Sequence, residues 1–299
     1  MSELWGVLAA VLSSAIGGTA VAATRYVVGA CDPLTLGALR FGVGLIFLLP
    51  IALWRGERWP PQTDWIRVAG LGLLFFGIFP VLFNASLLFT TSARGALSLS
   101  TLPLLTLLAG AVLRVEALTM RKTAGVLVAT SGVAIALVSD LAASPARAWR
   151  GDLLMIGAAC CMALYNVWSR PFIKRSGPIA FTTMGMASGA GLLVAIALGR
   201  GSFAPLLQFD SSQWLAVGYL GILGSALTFF LWAFALGHTT PTRVAISVTV
   251  NPITASLVAA ALLAEPIRWN LAAGLVTVFA GIWIATTVGR SRNMPAAVR

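Results

Sequence analysis

Arg40 sits about two turns into an apolar run, 33–54, that carries no other charge. A cation at that depth is costly in hydrocarbon and is a functional residue by default. Its guanidinium could hold a substrate carboxylate, or it could anchor the carbonyls of a helix end. The nine acidic residues (Glu3, Asp32, Glu57, Asp64, Glu116, Asp140, Asp152, Asp210 and Glu265) all fall in loops or near the ends of apolar runs. No carboxylate therefore shares the depth of Arg40. Glu116 and Glu265 read as caps or interfacial anchors for the helix that follows each, with proton coupling as the sharper alternative.

A second group combines helix breaking with polarity. Pro103 and Pro252 interrupt two further apolar runs. Each removes a backbone hydrogen bond and leaves a carbonyl to be satisfied elsewhere. Such breaks are tolerated only against protein or a watery cavity, and breaks at corresponding positions of two halves point to a binding site. The two prolines read as hinges, with packed structural kinks as the plainer alternative. Ser98 and Thr101 lie within about one turn before Pro103, and Thr249 and Asn251 just before Pro252. They could bind a substrate or satisfy the kinked backbone.

Aromatic residues form the third group. Phe76, Phe79 and Phe83 recur at i, i+3, i+7 and are followed by Asn84, with Pro80 in the same run. Tyr165 and Trp168 lie at i, i+3 beside Asn166, and Phe229, Phe230 and Trp232 cluster further on. Stripes of this kind more often pack a core or face lipid. Polar-tipped rings beside Asn also suit a cavity for an apolar side chain with a polar head. The candidate substrate-binding set is Tyr165, Trp168, Phe79, Phe83, Asn84, Arg40, Ser98, Thr101 and Asn251, with Tyr165 and Trp168 foremost.

Other chemistries lack residues to carry them. Cys160 and Cys161 are adjacent, Cys31 is remote, and no histidine lies near them, so no metal site is expected. The single His238 reads as part of a tight loop at the end of an apolar run. No His/Glu or Asp/Asp pair inside a run suits a hydrolase, and no Gly-x4-Gly-Lys-Ser/Thr loop suits ATP. No catalytic residue and no cofactor are expected. The formal charge of +11 is spread singly or in pairs between apolar runs. Without an interleaved aromatic platform, nucleic acid is not an expected partner.

The elements that must position these residues follow from composition. The chain has 299 residues, 59% of them hydrophobic and 10% charged, with a mean hydropathy of +0.92. Soluble chains carry about 25% charged residues, so the expected solvent is a lipid bilayer. Apolar runs predict ten membrane-spanning helices, at roughly 4–28, 33–54, 66–89, 93–114, 121–140, 152–173, 178–199, 214–237, 240–264 and 269–289. Asp32-Pro33, Trp59-Pro60-Pro61, Ser144-Pro145 and Gly177-Pro178 punctuate them. The opening Met1–Trp5 has neither a basic n-region nor a cleavage site, so the first run reads as a retained span.

Cation counting orients the spans. With the N-terminus inside, the cytoplasmic ends hold Arg55, Arg58, Arg67, Arg114, Arg121, Lys122, Arg170, Lys174, Arg175, Arg243, Arg290, Arg292 and Arg299. The opposite ends hold only Arg25, Arg94, Arg147, Arg150, Arg200 and Arg268. Both termini are predicted cytoplasmic. The preference for Arg over Lys, with an Ala, Gly, Leu and Val bias, points to a GC-rich bacterial genome and hence to a bacterial inner membrane.

The chain also repeats itself. At a shift of 149 positions Trp65 falls on Trp214, Gly72 on Gly221, Arg94 on Arg243, Pro103 on Pro252, Glu116 on Glu265, Gly125 on Gly274 and Gly132 on Gly281. At a shift of 145, Gly6 falls on Gly151, Arg25 on Arg170 and Pro33 on Pro178. Five spans per half is an odd number, so the second half enters the membrane with opposite polarity. Inverted repeats of this kind are the usual construction of secondary transporters. The expected units are 4–140, 150–289 and a basic cytoplasmic tail, 290–299. Small residues four apart, Ser14 with Gly18 and Gly185 with Gly189, mark close helix contacts.

These features resemble the EamA family of the drug/metabolite transporter superfamily. The resembling residues are Arg40-Phe41 after Pro33, Ala96-Leu97-Ser98 to Pro103, and Glu116 followed by Gly125 and Gly132. The second half repeats them as Ala245-Ile246-Ser247 to Asn251-Pro252, then Glu265-Pro266, Gly274 and Gly281. The resemblance covers nearly the whole chain. It implies an all-α integral membrane protein of ten transmembrane helices in two inverted five-helix repeats. It further implies export of small metabolites, most readily amino acids, including aromatic ones, by alternating access. A drug or organic-cation exporter of the same superfamily is the alternative. It would be expected to carry an acidic residue deep in the first run, where this chain reads Ala10-Val11-Leu12-Ser13-Ser14. The expected partners are a small-molecule substrate and the lipid bilayer. The oligomeric state is open.

Overall fold

Asp32 and Pro33 show how local chemistry starts the helices. The Asp32 carboxylate accepts from the backbone N–H groups of Leu34 and Thr35 at 3.0 and 3.1 Å. Pro33 occupies the first turn, where its missing N–H leaves no bond unmade. Asp210 and Gln213 form a reciprocal capping box in the second half.

The computed structural model describes residues 2–90, 92–141, 147–263 and 269–286. Ser144-Pro145, Glu265 and the 290–299 tail lie outside them. The described residues form helices and no strand. In chain order these are α1 (Ser2–Val27), α2 (Pro33–Trp54), α3 (Gln62–Phe89), α4 (Ser92–Leu99), α5 (Leu102–Val112) and α6 (Met120–Leu141). There follow α7 (Ala148–Arg175), α8 (Pro178–Gly199), α9 (Ser211–His238), α10 (Pro241–Ile246), α11 (Asn251–Leu263) and α12 (Trp269–Thr286). Six of them, α1, α2, α3, α7, α8 and α9, are continuous and apolar enough to cross a membrane.

The runs 93–114 and 240–264, expected as single spans, are each divided. α4 stops at Leu99 and α5 starts at Leu102, while a 3-10 turn, Ser247–Val250, separates α10 from α11. Pro103 and Pro252 are each the second residue of the following helix. That is a position where proline costs no hydrogen bond. The prolines therefore start helices after a break and do not kink continuous ones.

The internal repeat is visible in the backbone. A π-helical turn spans Leu73–Ile78 in α3 and another spans Ile222–Leu227 in α9, 149 positions apart at both ends. α2 and α8 begin and end 145 positions apart. Packing follows the same symmetry: α2 lies against α8 and α6 against α12, while the contact of α1 with α9 is mirrored by that of α7 with α3.

Small residues permit these approaches. A Cβ on Gly18 would collide with Asn251 and Thr254 of α11, and one on Gly189 would lie 2.6 Å from Phe76 of α3. Caps also cross between the halves. The Glu57 carboxylate, in the loop after α2, accepts from the N–H groups of Ile179 and Ala180 at 2.9 and 3.2 Å. Glu116 accepts from the Thr242 N–H at 3.2 Å and its hydroxyl at 3.0 Å, and pairs with Lys122. Glu116 thus anchors the helix that follows it and also caps α10 of the other half.

Candidate functional site

A central cavity lies where α1, α2, α3, α7, α9 and the broken α4 and α10–α11 segments converge. It is lined by Ser13, Ser14, Gly17, Val21, Arg40, Phe79, Phe83, Leu99, Met162, Thr228, Phe229, Trp232, Val248 and Asn251. Five of these are polar or cationic side chains, four are aromatic and none is acidic. Its volume is about 40 Å³, room for only a few waters.

The π turn of α9 explains how Arg40 is held. A π turn leaves backbone carbonyls without their usual partners. Arg40 Nη2 donates to the Gly224 carbonyl at 2.7 Å and Nε to Ser225 Oγ at 2.9 Å. Thr228 Oγ1 donates to the Leu223 carbonyl at 2.8 Å. In α3 the equivalent residue, Phe79, donates its N–H to the Leu74 carbonyl, and Pro80 after it has no N–H to donate. The Arg40 guanidinium also lies 5.3 Å from the Phe41 ring centroid and 6.0 Å from those of Phe83 and Phe229, which is within cation–π range. No described bond engages Nη1.

The repeat makes Arg40 a symmetry breaker. The residue 145 positions on from Arg40 is Gly185, and the residue 149 positions before Ser225 is Phe76. A long cation against a small serine in one half becomes a glycine against a phenylalanine in the other. Gly185 packs on Phe76, with 3.3 Å between its would-be Cβ and the ring. Volume is conserved, but only one half delivers a charge to the cavity.

α1 supplies the opposite wall. Ser13 Oγ donates to the Thr228 carbonyl at 2.8 Å, and Ser14 Oγ lies 2.7 Å from Ser247 Oγ. Asn251, the first residue of α11, is buried beside Gly17, and its Oδ1 has no hydrogen-bond partner. Trp232 Nε1 donates to Asn166 Oδ1 at 2.8 Å, tying α9 to α7 behind the cavity.

Of the residues anticipated as substrate-binding, Arg40, Phe79, Phe83 and Asn251 meet in this cavity. Tyr165 is buried behind it, its ring stacked on Phe75 with centroids 4.1 Å apart. Trp168 is 42% exposed and lines an outward-facing groove with Arg67 and Phe172. Asn84 Nδ2 donates to the Pro33 carbonyl at 2.9 Å, bracing α3 against α2. Ser98 Oγ donates to Asp152 at 2.9 Å, and Thr101 Oγ1 bonds the Ser98 carbonyl at 2.8 Å. Pro103 and Pro252 flank the breaks and do not line the cavity. Ser13, Ser14 and Thr228 line it without having been anticipated as ligands. The adjacent serines of α1 were the available signal, since hydroxyls inside an apolar run seek a partner or a ligand.

A family model for the EamA-like transporter family matches the chain twice, over residues 4–138 and 149–287. The chain belongs to that family. It is a multi-pass membrane transporter and not an enzyme. The transporter is similar to the uncharacterized transporter YyaM of Bacillus subtilis, 26% identical over 89% of this chain and 88% of that protein. It is also similar to an uncharacterized transporter of Archaeoglobus fulgidus, 25% identical over 94% and 97% of the two chains. The uncharacterized inner membrane transporter YedA of Escherichia coli K12 is 27% identical over 92% and 88%. One solved crystal structure superposes on the transporter with a TM-score of 0.71 at 24% identity, covering 95% of this chain and 96% of that one. That likeness concerns the fold.

Proposed function

We propose that this transporter exports small carboxylate-bearing metabolites, amino acids first among them, across the bacterial inner membrane. The observation that carries the reading is the composition of the central cavity: among the described residues one arginine, an unpartnered amide oxygen, an aromatic wall and no carboxylate. Arg40 offers the donors of Nη1, which no described bond engages, to a carboxylate. Asn251 Oδ1 offers an acceptor to an ammonium group. Phe79, Phe83, Phe229 and Trp232 offer an apolar surface to the side chain, aromatic ones included. In this reading Arg40, Phe79, Phe83 and Asn251 bind substrate, while Tyr165, Asn84, Ser98 and Thr101 hold the walls.

Ten spans form two inverted units, 4–140 and 150–289, with both termini cytoplasmic. The paired π turns, the paired helix breaks and the cation asymmetry of the loops support this topology. A cavity of about 40 Å³ is far below the ~300 Å³ of an ordinary ligand pocket. Substrate entry therefore requires the halves to part around it, with the breaks before Pro103 and Pro252 as hinges. Such parting toward each side in turn is alternating access.

Reconstituted vesicles loaded with a panel of labelled amino acids test the proposal. Saturable efflux of amino acids, with no efflux of lipophilic cations, is expected. Efflux of cations with none of any amino acid would overturn it in favour of an organic-cation exporter.

A further inference from the structure

A groove of about 870 Å³ runs down the outer side of α1, on the face turned away from the central cavity, between α1, α9 and α11. It continues into a second stretch of about 430 Å³ through the shared residues Thr19, Tyr219 and Val258. From Tyr26 at one end to Ala15 at the other, the groove follows α1 for twelve residues, or roughly 16 Å of helix. That is about half the ~30 Å hydrocarbon core, the depth of one leaflet. Small residues, Ala22, Ala23 and Ala216, make it hollow.

Apart from Ser92 at its edge, the hydroxyls inside it satisfy one another in two pairs. Thr19 Oγ1 bonds the Tyr219 hydroxyl, and the Tyr26 hydroxyl lies 2.6 Å from Ser212 Oγ. The interior therefore presents hydrocarbon and asks for none but hydrocarbon. The mouth is different. Arg25 lines it, is exposed, and donates through Nη1 to the Leu87 carbonyl.

We infer that this groove binds one anionic phospholipid, with an acyl chain along α1 and the headgroup phosphate on Arg25. With the N-terminus cytoplasmic, the lipid belongs to the outer leaflet. The inverted repeat supplies an independent argument. The groove beside Trp168, about 540 Å³, is its counterpart. Val167, Trp168 and Pro171 stand 145 positions after Ala22, Ala23 and Tyr26, and Arg67 and Gly70 stand 149 before Ala216 and Tyr219. Each of the two related places where the halves meet thus forms one groove toward one leaflet, with an arginine in it. In the second half Trp168 occupies the place of Ala23 and narrows the groove. The same fold therefore accommodates an indole at that position.

The test is native mass spectrometry of the detergent-purified full chain with phosphatidylglycerol and phosphatidylcholine of identical acyl composition, and with glycerol 3-phosphate alone. One phosphatidylglycerol is expected to remain bound, about tenfold preferred over phosphatidylcholine, and glycerol 3-phosphate should not bind. Ala23→Trp, which copies Trp168 of the other half, and Ala216→Trp should abolish retention while eluting as folded protein. Arg25→Gln should keep a lipid but lose the headgroup preference. Equal retention of both lipids by the wild type overturns the Arg25 assignment. Binding of glycerol 3-phosphate as tight as that of the lipid, or undiminished retention by either folded tryptophan variant, overturns the acyl groove. Amino-acid efflux plays no part in these readouts, so the groove stands or falls apart from the substrate proposal.

Discussion

Arg40 serves two partners at the residue scale. It satisfies the Gly224 carbonyl that the π turn of α9 leaves open, and it brings the cavity its positive charge. A hydrogen bond to a charged group contributes about 1.5–3 kcal/mol, or roughly ten- to a hundredfold in affinity. Arg40→Gln should therefore weaken exchange of a free amino acid by that factor while leaving the corresponding amino-acid amide little changed. Arg40→Lys should recover part of the loss, because lysine keeps the charge but not the fork. Equal loss for acid and amide in the exchange assay would assign Arg40 to the π turn alone. That arginine was legible in the sequence as a deep cation. Its partner was not, because Gly224 and Ser225 offer a carbonyl and a hydroxyl only after α9 winds into a π turn.

Helix contact and capping are the stabilising devices at the element scale. Gly189 lies in α8 where it meets Phe76, and an added Cβ would fall 2.6 Å from that residue's backbone, whereas nothing lies within 4 Å of a Cβ on Gly191. Overpacking of this kind costs about 1–3 kcal/mol. Gly189→Ala should lower the apparent Tm in a thermal unfolding assay, and Gly191→Ala should leave it unchanged. Burial works to raise the Glu116 carboxyl, but hydrogen bonds from Lys122 and Thr242 outweigh it and hold the group below its usual range. A carboxyl lowered by folding stabilises the protein above its unfolded value and loses that contribution as pH falls through the folded one. Glu116→Gln should therefore melt earlier than the wild type near neutral pH, and the gap should close in acid. A gap that widens on acidification would contradict the cap. The sequence placed Glu116 at a helix boundary, but only the folded chain shows that it also reaches across to α10.

At the scale of the whole molecule the decisive property is an internal repeat with one inequality. Matching π turns and matching helix breaks give each half the same backbone irregularities. The exchange of Arg40 and Ser225 for Gly185 and Phe76 gives them different chemistry. Five spans in each half, as proposed above, would put both termini on one side. Single cysteines placed near residue 2 and in the tail should both resist a membrane-impermeant maleimide applied outside intact cells, and both should react after lysis. Opposite accessibility of the two would remove the inverted topology and with it the argument for alternating access.

Hydropathy, the repeat and the deep cation are properties of the chain itself. Lipid leaves few structures open to a chain so poor in charge, and the spacing of Pro, Gly and Trp landmarks is preserved whatever the packing. The sequence thus determined a helical membrane protein of two related halves, with Arg40 and the residues around Pro103 and Pro252 as places to look. Which aromatic rings meet the cavity was decided only by the tertiary structure. Tyr165 and Trp168 lie on neighbouring turns of α7, yet one stacks in the core and the other lines an outward-facing groove. An all-apolar helix has no polar face to show which side turns inward. That choice is made by the neighbours: the small residues that let α1 and α8 close in, and the π turns that rotate α3 and α9. The same rotation places Phe79, Phe83 and Phe229 around Arg40.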